Sequence, residues 1–288
     1  MQLLTQYFTE KLANFGFPAE DFDIRYRLSY CQGDGMAFYG KLAFDELPEL
    51  FTKIYAEDEK TLVKLPLFKR LISAINETET YYGYVEIEKS RQFHLYDHYN
   101  TMILEEIEAC NLTLFQYAER EGMDEVWQSL LPLTYADAEN LWDTFMNDLD
   151  EYIRDCSKDL ANWGYRLIEG APYESEVAYR FRTKNYNTEV YLKTAYDQID
   201  DDFWDGHFDS FMDFCDSVVE GRTQYARLGA NVIEPHSETI LGSSDYGVCV
   251  FPTKDKTLGG LRRELIQDAI FEARSMARKL SQQLAKIA

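Results

Sequence analysis

Six carboxylates recur at nearly helical intervals: Asp201, Asp205, Asp209, Asp213, Asp216 and Glu220. Steps of 4, 4, 4, 3 and 4 residues put them on one helix face, successive charges about 6 Å apart along the axis. They lie in a stretch with nine acids and no Lys or Arg between Lys193 and Arg222. Like charges at i,i+4 repel by a few tenths of a kcal/mol per pair, a cost that solubility does not require. Such a row offers attraction for a basic surface, in imitation of duplex DNA with its charge every ~1.7 Å of axis. A second acidic surface is expected from Asp137, Glu139, Asp143, Asp148, Asp150, Glu151, Asp155 and Asp159, relieved only by Arg154 and Lys158. Asp148, Glu151, Asp155 and Asp159 are its candidates for partner contact. The plainer alternative for both rows is a solvated helix face.

Other chemistry is thinly represented. His94, Asp97 and His98 raise the question of a metal, but the stretch reads as a strand end and turn, and the chain has only 4 His. No metal site and no cofactor are expected. Gln32-Gly33-Asp34-Gly35 lacks the GK[ST] and following helix of a phosphate-binding loop. It reads as hairpin geometry, with Gly and Asp supplying positive φ. No Gly-x-Ser-x-Gly or HExxH motif is present, and carboxylate pairs drawn from 51 acids carry no information. An enzyme acting on a small molecule or nucleotide would centre on Asp34, His94 and His98.

These residues need elements to position them. Leu3, Leu4, Tyr7, Phe8 and Leu12 fall at helical spacing before Gly16 and Pro18. Residues 22–30 and 36–44 alternate around the Gly-Asp-Gly turn, a hairpin signature. Helices are predicted over 45–55 and 61–76, a second hairpin over 81–95 and 101–109, and a helix over 112–131. Trp142, Phe145, Leu149, Tyr152, Cys156, Leu160 and Trp163 mark one long amphipathic helix near 135–166. Strands over 174–183 and 187–196, a helix over 200–221, strands over 224–234 and 246–252, and a helix over 258–287 follow. Trp204, Phe208, Phe211, Cys215 and Val218 would anchor the acidic helix and turn its acids outward.

The halves also match each other. Leu12-Ala13-Asn14-Phe15-Gly16 returns as Leu160-Ala161-Asn162-Trp163-Gly164, and Ile24–Leu28 as Val177–Phe181. Tyr39-Gly40-Lys41-Leu42-Ala43-Phe44-Asp45 returns as Tyr191-Leu192-Lys193-Thr194-Ala195-Tyr196-Asp197. Three matches in order point to a diverged tandem duplication. The expectation is an α+β fold of two related lobes, 1–145 and 146–288, sharing the long helix, with antiparallel hairpins packed on amphipathic helices.

Composition narrows the function classes. The 51 acidic and 29 basic residues leave a net charge of −22. Direct nucleic-acid binding is therefore not expected, since phosphate contacts need clustered Lys and Arg. Aromatics at 15 % exclude intrinsic disorder. No apolar run is long enough for a membrane span, and Met1–Gln6 does not resemble a signal peptide. Five dispersed cysteines, Cys31, Cys110, Cys156, Cys215 and Cys249, read as free thiols in a reducing cytoplasm. The last helix reverses the sign: Lys254–Ala288 holds eight bases and four acids. Leu261, Leu265, Ala269, Ala273, Met276, Leu280 and Leu284 form its apolar face. That face packs on its own domain, pairs with a second copy, or docks head-to-tail on an acidic surface.

Ser29-Tyr30-Cys31-Gln32-Gly33-Asp34-Gly35-Met36-Ala37-Phe38 resembles a hairpin, S-Y-x-Q-G-D-G-x-x-F, of a group of uncharacterised bacteriophage and prophage proteins. Phe93–Met102 is similar to their second hairpin, so the resemblance covers about 25–110. It implies a phage gene and brings no activity with it. In composition the chain is also similar to phage-encoded acidic anti-CRISPR and anti-restriction inhibitors. That likeness implies a cytoplasmic, non-enzymatic protein in the bacterial host, bound at the basic nucleic-acid channel of a defence complex. An assembly protein for another basic partner would share the same charge.

Overall fold

The computed structural model describes residues 2–31, 34–76, 84–89, 102–105, 135–195 and 211–285. The fold is α+β, with seven helices and two antiparallel sheets among the described residues. The helices are α1 (Gln2–Asn14), α2 (Leu47–Ile54), α3 (Glu59–Leu62), α4 (Leu65–Asn76), α5 (Tyr135–Glu169), α6 (Phe211–Val219) and α7 (Arg262–Leu284). The strands are β1 (Asp23–Arg27), β2 (Gly35–Ala43), β3 (Tyr84–Lys89), β4 (Met102–Glu105), β5 (Glu176–Arg182), β6 (Asn187–Lys193), β7 (Thr223–Ile233) and β8 (Ile240–Pro252). No helix of the described residues is long and apolar enough to cross a membrane. Two compact units divide the chain, one of Phe8–Asn162 and one of Met1–Tyr7 with Trp163–Ala288.

In the Phe8–Asn162 unit the sheet order is β1-β2-β3-β4, every neighbour antiparallel. Met36, Phe38 and Leu42 of β2 and Val85 and Ile87 of β3 are buried, as alternation places them. The first two turns of α5 and the next three bury Ala138, Trp142, Phe145, Leu149 and Ile153 almost completely. Phe145 stacks on Phe51 of α2 and meets Phe68 of α4 at a tilt, with ring centroids 5.9 and 4.5 Å away. Aromatic pairs at these separations add to area burial and fix α5 rigidly on one side. One expected helix over 61–76 is two, because Asp58 caps α3 by accepting from the Lys60 and Thr61 amides, and Pro66 opens α4.

In the other unit the order is β5-β6-β7-β8, again antiparallel throughout. Helix α7 covers one face of this sheet, where Val190, Leu192, Ala226, Leu228, Ala230, Val232 and Phe251 meet Leu258, Leu265 and Ala269. The approach is close at Gly242, where a Cβ would lie 2.4 Å from the Ala273 amide nitrogen. On the opposite face α6 packs Phe214 edge-on against Tyr225 at 5.7 Å, and the Tyr225 hydroxyl donates to the Leu167 carbonyl at 2.9 Å. Strand β8 begins at Ile240, six residues earlier than the sequence pattern predicts, because Ser243, Ser244 and Asp245 disguise it as a loop. Those polar residues pair with β7 and with α7: Ser244 Oγ donates to the Leu265 carbonyl at 2.8 Å.

Candidate partner-binding surfaces

The acidic row on and before α6 is partly committed to the fold. Asp201, Asp205 and Asp209 lie outside the described residues. Asp213 is exposed on the first turn of α6. Asp216 is not outward and unrelieved, as the spacing suggested. It is half-buried and accepts a hydrogen bond from the Tyr7 hydroxyl of α1 at 3.1 Å. Burial first, and then the Asp216 charge, pushes the Tyr7 phenol far above its usual range. Glu220 is a second correction. Gly221, at φ 73°, closes α6 with a bond from the Arg222 amide back to Ser217, so Glu220 stands just past the helix. That turn brings the Arg222 guanidinium back onto the Glu220 carboxylate. The base that ends the acid-only stretch therefore neutralises its last acid.

The α5 surface sorts in the same way. Asp148 accepts from the Tyr55 hydroxyl of α2, and burial followed by that contact raises the Tyr55 phenol. Asp155 pairs with Lys158 at 2.9 Å and Asp150 with Arg154 at 2.5 Å. Of the expected partner contacts, Asp148 instead meets the Tyr55 hydroxyl and Asp155 carries the charge of Lys158, while Arg154 and Lys158 relieve the row as the sequence suggested. Glu151 and Asp159 are exposed, as expected, and so are Asp137 and Asp143. From Asp137 through Glu151 the exposed line runs Asp137, Asn140, Asp143, Thr144, Asn147, Glu151, with no base in it. Asp143 belongs to this surface although Asp148 was the sequence-level choice. The available signal was its angular distance from Trp142, Phe145 and Leu149.

Asp34 performs a structural task. Its side chain is 5 % exposed, and its carboxylate accepts the Ser29 amide at 2.6 Å, the Cys31 amide at 2.8 Å and the Ser29 hydroxyl at 3.1 Å. Arg27 Nε lies 3.6 Å away. The amides sit on Oδ2 and the Ser29 hydroxyl and Arg27 on Oδ1, so both oxygens are engaged in closing the turn. Among the described residues of this turn the positive φ is at Tyr30 (59°) and not at Asp34 or Gly35, and Gly33 lies outside the described residues. In the second lobe Thr183 holds the equivalent turn, its Oγ1 accepting the Tyr186 amide at 3.0 Å. His94, His98 and Cys110 lie outside the described residues. Cys156 and Cys215 are buried free thiols, Cys249 is half-buried, and Cys31 is exposed.

One open cleft of about 340 Å³ lies at the end of the β5–β8 sheet. Glu169, Glu176 and Tyr173 line its mouth, with Tyr225 and Phe251 among the apolar lining. Two carboxylates, an exposed aromatic ring and the negative end of a 35-residue helix make it receptive to a guanidinium or ammonium group. No protein-family model, curated protein or solved structure matches the chain.

Proposed function

We propose that this protein is a non-catalytic acidic inhibitor that occupies the basic nucleic-acid channel of a bacterial defence complex, a CRISPR–Cas effector or a restriction nuclease. The observation that carries the reading is the base-free exposed line of α5, Asp137–Asp143–Glu151, mounted on a helix whose other side is locked into an aromatic core. Rigid carboxylates lose little entropy when a basic groove closes on them, and the net charge of −22 adds long-range attraction.

Three carboxylates separated by six and eight residues stand roughly one per 10 Å, against one per 3.4 Å on a DNA strand. The α5 line alone imitates a polyanion at reduced density. Asp213 of α6, with Asp201, Asp205 and Asp209 preceding it in sequence, is a separate acidic candidate on the other unit. The similarity of the first hairpin to phage proteins gives such an inhibitor its setting. Asp34, engaged at both oxygens by local donors, gives no support to a catalytic first lobe.

The test is capture of a partner from bacterial lysate by tagged protein at low and at high salt. On this reading a nuclease or CRISPR complex is recovered, competed away by DNA and lost at high salt. The triple variant D143N/E151N/D213N keeps its fold and weakens capture about tenfold or more, since each lost close charge pair is worth about 1.5 kcal/mol or more. Capture that is indifferent to salt or to the triple variant refutes the assignment.

A further inference from the structure

Strand β1 forms an uninterrupted edge of its sheet. Among the described residues it pairs with β2 alone, and that pairing is regular over all five residues, Asp23–Arg27. Both edges of the other sheet, β5 and β8, carry a register shift, the kind of irregularity that blunts an edge against further pairing. An edge strand without one presents a row of N–H and C=O groups to any strand whose side chains match its own. Alternation fixes which side chains those are. Asp23, Arg25 and Arg27 are exposed on one face, and Ile24 and Tyr26 are half-buried on the other. Asp23 and Arg25 are 55 % and 68 % exposed and lie 2.7 Å apart.

The order of the charges decides what can pair with this edge. In Asp21-Phe22-Asp23-Ile24-Arg25-Tyr26-Arg27 the acids precede Ile24 and the bases follow it, at alternate positions. Laid antiparallel on a second copy about Ile24, the strand sets Asp23 opposite Arg25 and Arg25 opposite Asp23. Ile24 then meets Ile24, and Tyr26 meets Phe22, itself extended at φ −92° and ψ 139°. Neighbouring alignments fail. Sliding one copy by two residues sets Arg25 against Arg25 or Asp23 against Asp23, and parallel pairing in register sets each charge against its like. A slide of one residue turns the matched side chains to opposite faces of the sheet. We propose that β1 of one copy pairs with β1 of a second across a two-fold axis at Ile24, joining two four-stranded sheets into one of eight strands. The net charge of −22 opposes this at long range, so the contact forms where salt screens that repulsion and spares the close pairs. The inference does not rest on the inhibitor reading, whose carboxylates lie on other elements.

Sedimentation velocity of the full chain over a wide concentration range, near physiological ionic strength, tests it, and a monomer–dimer equilibrium is expected. D23R and R25D each turn both attractive pairs into repulsive ones and weaken dimerisation about tenfold or more. Both changes fall on exposed side chains, and circular dichroism checks the fold of each variant. The swap D23R/R25D reverses the order of charges and restores dimerisation. So does mixing D23R with R25D, since the bases of one copy meet the acids of the other. With no variant at all, hydrogen exchange of the Asp23–Arg27 amides slows as the wild type is concentrated. A wild type that stays monomeric at the highest concentration overturns the proposal. So do single variants that dimerise like the wild type, a swap and a mixture that both fail to associate, or exchange at Asp23–Arg27 that ignores concentration.

Discussion

Replacing Asp216 by alanine separates a structural carboxylate from a functional one. The Tyr7 ring is fully buried and its hydroxyl donates to Asp216 at 3.1 Å. Removing that acceptor strips the phenol of a charge-assisted bond; a buried donor left unsatisfied costs about 1–3 kcal/mol. Asp216 is half-exposed, so water reaches part of the gap and the lower half of that range applies, about 1–2 kcal/mol. Y7F removes the donor instead and leaves a carboxylate that water can solvate, so it costs less. The double variant costs less than the two single losses together, since one bond cannot be lost twice. Urea unfolding followed by circular dichroism measures each step of the cycle. Partner capture, corrected for the folded fraction, stays at the wild-type level in D216A. A D216A protein as stable as the wild type, or strictly additive losses, would refute the assignment of this carboxylate to the fold.

Three further outcomes follow from the same contacts. Tyr7, Tyr55, Tyr152 and Tyr246 all titrate above the ordinary phenol value, mainly through burial, Tyr246 at about 12. A raised folded value means stability is full below the unfolded value of about 10 and falls as pH rises above it, so denaturant midpoints drop across that window. Ultraviolet titration shows the Tyr7, Tyr55 and Tyr152 phenolates forming only with unfolding. Alkylation of the native protein labels Cys31 well before Cys156 or Cys215, as mass spectrometry of quenched samples reads out; equal rates would contradict their burial. G242V destabilises by about 1–3 kcal/mol, because its side chain meets the α7 backbone rather than a movable side-chain tip; an unchanged denaturation midpoint would mean that α7 sits farther from β8.

The elements were legible wherever one short-range pattern sufficed. Period-3.6 apolar residues located α1 and α5, and alternation located β1, β2, β5 and β6. Strand β8 was foreshortened because its polar residues satisfy themselves on α7, a contact more than twenty residues distant. The same limit governed the candidate surfaces. Tyr7 and Asp216 are 209 residues apart and Tyr55 and Asp148 are 93 apart, and no periodicity along α5 or α6 records that a phenol will arrive from elsewhere. Glu220 was more readable, since Gly221 followed by Arg222 is a helix stop with a base beyond it. The two sheets share one strand order, and the Tyr39 and Tyr191 segments each lie on the second strand of its sheet.

The contacts also bear on what a net charge of −22 measures. Carboxylates here repeatedly satisfy neutral donors: phenols in Tyr7–Asp216, Tyr55–Asp148 and Tyr246–Asp268, and backbone amides at Asp34, Asp58, Glu234 and Asp255. The Thr61 hydroxyl, followed by the Thr61 and Lys60 amides, holds Asp58 below the usual carboxylate range, and amide donors aided by the Ser237 and Thr257 hydroxyls do the same for Glu234 and Asp255. An acid used in this way stabilises a turn or a buried ring and needs no Lys or Arg to balance it. A tyrosine-rich chain that closes its turns with Asp therefore accumulates negative charge without any surface being selected for it. The carboxylates that a partner can use are the ones left over, exposed and serving no donor or base among the described residues, and on α5 that reduces a run of eight acids to Asp143, Glu151 and Asp159. Charge counted along the sequence overstates the binding surface; charge counted after the hydrogen bonds are assigned locates it.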